Sequence, residues 1–77
     1  MKPAERQHRD DLRALVVDIA EADALTDPWW DVALALDKDE PLDDLRELIR
    51  VASFDRSPGD RAIERLDELL LAIEEAT

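Results

Sequence analysis

The sequence predicts an all-α fold, a small four-helix bundle-like domain with short, Pro-initiated connections. Three observations predict it. Apolar residues recur at three- and four-residue intervals in three segments, all four prolines stand where a helix can begin, and the chain holds a single glycine. Apolar spacing of that period draws one stripe along a helix, and such a stripe is what a bundle buries. Proline suits the first helical turn, where its missing N–H would have had no intrahelical partner. The 77 residues are read as one helical domain, 1–77, near the lower size limit for folding on its own core. With no cysteine to staple it, stability is expected from helix packing or from association.

The first helix opens at Pro3, and at roughly 100° per residue its Leu12, Leu15, Val16, Ile19 and Ala22 fall within about 120°. The second begins at Asp27-Pro28, a capping side chain before a first-turn proline. Its core, WWDVALAL, also alternates apolar and small or polar residues with the two-residue period of a strand. A lone strand has no ladder partner, so a short helix over about residues 28–37 is expected. In the third, Asp39 or Glu40 would cap a helix starting at Pro41, with Leu42, Leu45, Leu48, Ile49 and Ala52 as its stripe. The fourth follows Ser57-Pro58, with Ser57 and Asp60 spaced as a capping box, and carries Ile63, Leu66, Leu69, Leu70 and Ile73. Val17, Val51 and Leu71 fall off these stripes; if they adjoined, they would form a patch suited to homodimerisation.

Trp29 and Trp30 point about 100° apart on a helix. One ring is expected in the core beside Phe54 and the other near the surface, although the scarcity of aromatics favours core duty for both. Tryptophan beside carboxylates is also a common composition of interface hot spots.

Charge is distributed unevenly. Residues 14–47 carry eleven carboxylates against two basic side chains, which places nine of the net eleven negative charges in under half the chain. Such a surface repels phosphate backbones and anionic headgroups and attracts basic proteins. Two lysines against eight arginines, with eleven alanines, fit a GC-rich or salt-adapted genome equally well, so solubility is the competing explanation of the acidity. The charged opening MKPAERQHRDD precedes no apolar signal core, and no apolar run approaches the ~20 residues of a membrane span. A cytoplasmic protein is expected.

Catalytic and metal motifs are weak. The single histidine, His8, lies among Arg6, Arg9 and Asp10 on a polar turn, and nothing near Ser53 or Ser57 supports a nucleophile. Glu5 and His8 have the Glu-x-x-His spacing of ferritin-like di-iron helices, but only once. Read as a calcium loop from Asp37, the tract DKDEPLDDLRE places Pro41 fifth and Leu42 sixth, where the sharp turn requires glycine. No enzyme, cofactor or metal is expected.

Interaction remains. The candidate partner-binding residues are Asp27, Trp29, Trp30, Asp31, Asp37, Asp39, Glu40, Asp43, Asp44 and Glu47. A second acid series, Asp18, Glu21, Asp23, Asp27 and Asp31, would surround the same corner if the first two helices are antiparallel. A row of carboxylates several ångströms apart resembles the charge pattern of nucleic-acid phosphates. In size, charge and helicity the chain is similar to nuclease-immunity proteins, DNA-mimicking phage inhibitors and antitoxins. It has no tyrosine, however, and so lacks the Asp- and Tyr-rich tract of colicin-type immunity proteins, and no family is assigned. The expected function is a non-enzymatic inhibitor or adaptor with a basic protein partner, binding neither nucleic acid nor membrane directly. The alternative is a homo-oligomerising assembly subunit whose acidity is solubility alone.

Overall fold

The computed structural model describes residues 1–22 and 27–77. They form four helices: α1 (Pro3–Ala22), α2 (Asp27–Asp37), α3 (Leu42–Asp55) and α4 (Asp60–Ala76), with no strand among the described residues. The second segment is a helix, as the Asp-Pro start and the missing partner strand imply. α1 packs on both α2 and α4, α2 packs on α3, and the α3–α4 contact is the slightest. Consecutive helices run antiparallel. Arg13 of α1 pairs with Asp37 at the end of α2, Trp29 at the start of α2 reaches Arg56 just past α3, and Arg46 near the start of α3 meets Glu74 near the end of α4 at 2.7 Å. The result is an up-down bundle of 34 × 24 × 18 Å in which α1 lies diagonal to α3 and α2 to α4. Among the described residues no helix is long and apolar enough to cross a membrane.

The core follows the stripes closely. Leu12 and Val16 of α1, Val32 and Leu36 of α2, Leu45, Ile49 and Ala52 of α3, and Leu66, Leu69, Leu70 and Ile73 of α4 are buried together. Fully burying one such aliphatic side chain contributes about 1.5–3 kcal/mol. On α1 the small residue facing the core is Ala20, whereas Ala22 is exposed. Two charged residues join the buried set, Glu5 and Arg9.

The aromatics divide differently from the sequence expectation. Trp29 is 1% exposed and its indole N–H donates to the Arg56 carbonyl at 2.9 Å, which satisfies the ring's polar atom inside the bundle. Trp30 is 42% exposed and Phe54 is 93% exposed, so neither shares the core with it. Phe54 falls on the solvent side because Leu45, Ile49 and Ala52 define the buried face of α3, and residue 54 lies about 160° from Ala52 around the axis.

Two helix starts also differ. α3 has Pro41 itself as N-cap and α4 has Gly59, neither with a side-chain cap hydrogen bond, so Asp39, Glu40 and Ser57 do not cap. Gly59 takes φ +96°, a conformation that L side chains rarely adopt, and this delays the helix until Asp60 and breaks the expected Ser57–Asp60 box. Uncapped N-termini still gain from Asp43 and Asp44 in the first turn of α3 and Asp60 in that of α4, each worth about 0.3–1 kcal/mol against the helix dipole.

α2 ends in a Schellman motif built without glycine. The Asp39 N–H donates to the Leu36 carbonyl at 3.2 Å and the Glu40 N–H to the Ala35 carbonyl at 3.1 Å, with Asp39 at φ +54°. Aspartate tolerates this left-handed geometry better than most residues.

Candidate interaction surface

The α2 end and the turn to α3 are held by three arginines of α1 spaced along one face. Arg6 Nη2 donates to Asp39 Oδ1 at 2.8 Å, Arg9 Nη1 to the Glu40 carbonyl at 2.8 Å, and Arg13 Nε to Asp37 Oδ1. Arg9 also donates from Nε to Glu5 Oε2 at 3.0 Å, and both of those side chains are almost fully buried. The Arg6 and Arg13 guanidinium pKa values are raised by these hydrogen bonds to Asp39 and Asp37. Glu5, the carboxylate of the Glu-x-x-His spacing, is therefore committed to Arg9. Among the described residues no group of three or more His, Asp or Glu side chains could hold a metal ion.

This clamp sorts the acid cluster into two kinds. Asp37 and Asp39 are neutralised by Arg13 and Arg6, and Glu47 is paired with Arg50 on its own helix at 2.6 Å, a contact that lowers the Glu47 pKa. Glu40 is half-buried, with its carbonyl held by Arg9. Asp27, Asp31, Asp43 and Asp44 are exposed, and no salt bridge among the described residues reaches them. Among the candidate residues these four, together with the Glu40 side chain, are the carboxylates that no salt bridge among the described residues compensates.

The two acid series do not share a corner. α2 runs its full length of about 16 Å between Asp27 and the Asp37–Glu40 turn, so the antiparallel arrangement puts Asp18 and Glu21 at the opposite end of the bundle. There Asp18 borders a recess of about 580 Å³ with Trp29 and Asp55. Asp23 of that series lies outside the described residues. Asp31 alone joins the series to the cluster.

It does so across a shallow groove of about 470 Å³ between α2 and α3. Leu34, Ala35 and Leu48 form its apolar floor, while Asp31, Glu40, Asp44 and Glu47 stand around it with one cation, Lys38. On an ideal helix Trp30, Leu34, Asp27 and Asp31 project within about 100° of one another, and all four are exposed. Leu34 is 55% exposed, whereas Val51 and Phe54 of α3, also exposed, lie outside the groove lining. The face thus combines aliphatic and aromatic surface with carboxylates on both walls. Trp29 is turned inward and takes no part in it. Val17 packs against the core on α1, diagonal to α3, so Val17 and Val51 cannot adjoin as one patch.

Sequence reasoning missed Leu34 and Leu48 as part of this surface. Leu34 reads as an alternating core position, and only the orientation of α2 set by Trp29, Val32 and Leu36 turns it outward. Compared against protein-family models, curated proteins and solved structures, the chain has no match.

Proposed function

We propose that this protein is a non-enzymatic acidic binding module, an inhibitor or adaptor that docks its α2–α3 face on a basic region of another protein. The basic site by which a nucleic-acid-binding protein holds phosphates is the type of target that suits it, and the carboxylates would stand in for phosphate charge. One observation carries the reading: the unpaired Asp31 and Asp44 stand on opposite walls of a groove floored by Leu34 and Leu48. An aliphatic floor supplies contact area, and the flanking charge selects the partner and speeds encounter.

The test is an affinity capture from cell extract at low ionic strength, comparing the wild type with the double reversal Asp31→Lys plus Asp44→Lys. A basic protein should be retained, should elute as salt approaches physiological strength, where screening acts beyond ~8 Å, and should be lost with the reversal. Retention that is indifferent to salt and to the reversal refutes the reading. The 93% exposure of Phe54 favours a second reading, an assembly subunit joined through α3. Light scattering would then show a defined oligomer that Phe54→Ser dissociates, with the charge reversals silent.

A further inference from the structure

We infer that the α2–α3 groove receives one face of a basic amphipathic helix of the partner, with an apolar side chain seated on Leu34 and Leu48 and Lys or Arg on each flank. This rests on the reading above and specifies the occupant of the same site.

Four physical arguments select it. Carboxylates stand on both walls of the groove, Asp31 on one and Asp44 on the other, so the matching segment carries cations on both sides of a single apolar row. The apolar residues at and beside the groove follow helical spacing: exposed Trp30 lies four residues from Leu34 on α2, and exposed Val51 three from half-buried Leu48 on α3, with Leu34 and Leu48 lining the groove itself. An occupant with apolar residues at i, i+3 or i+4, and i+7 matches that pitch. A β-strand occupant would need a strand edge for its backbone, and no strand exists among the described residues, whereas a helix satisfies its own N–H and C=O groups. A second copy of this chain is disfavoured by symmetry, because a two-fold contact over the groove would set Asp31 and Asp44 against the same unpaired carboxylates of the other copy.

The experiment uses the full chain and two labelled synthetic peptides of identical Lys/Leu composition, read by fluorescence anisotropy at low and physiological ionic strength. In one peptide the leucines follow helical spacing; in the other they are shuffled around the helix. The patterned peptide should bind about tenfold more tightly or better, the difference expected from burying one large aliphatic side chain. Leu34→Ser should erase that difference, and because Leu34 is more than half exposed the fold should persist, as far-UV circular dichroism would verify. Lys38→Glu, which removes the one cation lining the groove, should tighten patterned binding severalfold. Phe54→Ser, off the groove lining, should change nothing. Equal affinity for both peptides, or patterned binding indifferent to Leu34→Ser, overturns the amphipathic-helix occupant while leaving acidic docking intact. Failure of both peptides to bind overturns both. A dimer in light scattering that Leu34→Ser dissociates assigns the groove to a second copy and overturns the proposal.

Discussion

Replacing Arg9 with alanine removes the cation from a nearly buried carboxylate. The Glu5 side chain is 11% exposed and its partner Arg9 5%, so water cannot fully take over the lost contact at 3.0 Å. Breaking a buried pair from one side costs about 3–5 kcal/mol, because the remaining charge stays desolvated. The Glu40 carbonyl also loses its 2.8 Å donor, a further ~1 kcal/mol at a half-buried group. A core of this size contributes only ~3–5 kcal/mol net, so Arg9→Ala should leave the chain largely unfolded at 25 °C. Arg9→Lys keeps the charge and loses the forked geometry that lets one guanidinium reach both acceptors, and it should cost about 1–2 kcal/mol. The apolar double replacement, Glu5→Leu plus Arg9→Met, removes both charges together and should lie near the wild type, since such swaps are often neutral or stabilising by ~1–4 kcal/mol. Urea melts followed by circular dichroism would measure all three. A cost under about 1 kcal/mol for Arg9→Ala, or a double variant as damaged as the sum of its singles, would refute the reasoning.

Other expectations are more modest. The thermal midpoint should rise with sodium chloride and with mild acidification toward the pI near 4.3, because like charge on a small body opposes the compact state; a midpoint that falls with added salt would contradict this. The Glu47 pKa is depressed by Arg50, so that pair's contribution is present above the unfolded carboxylate value and disappears as pH drops through the lower folded value, opposing the gain at strongly acid pH. Trp29→Phe keeps a core ring but removes the indole N–H that donates to the Arg56 carbonyl, and denaturation should show a loss of about 1 kcal/mol or more, against under about 0.5 kcal/mol for Trp30→Ala. Asp37→Asn weakens an exposed, solvent-screened pair with Arg13 and should cost far less than Arg9→Ala by the same melts, whereas equal damage from the two would mean that burial does not separate the two contacts.

The helices were legible because helix formation is local. The Asp27-Pro28 start, the stripes Leu42–Ala52 and Ile63–Ile73, and the lack of a second strand depend on residues within a few turns of one another. The same periodicity could not rank Trp29 above Trp30, since adjacent residues share every local property and differ only in which way α2 is turned. Nor could it place Asp39 at positive φ or make Gly59 the cap of α4, because turn geometry answers to the packing of the helices it joins.

By itself the sequence determined that four amphipathic helices would form and that their outer surface would be anionic, since period and composition are properties of the chain. Only the tertiary structure decided which carboxylates remain uncompensated. Arg6 and Arg13 lie 33 and 24 residues from the aspartates they neutralise, and Arg9 is committed to Glu5 and to the Glu40 carbonyl. Charge is felt through space, so within the candidate surface the exposed free set, Asp27, Asp31, Asp43 and Asp44, emerged only once antiparallel packing had brought the arginines of α1 to the end of α2.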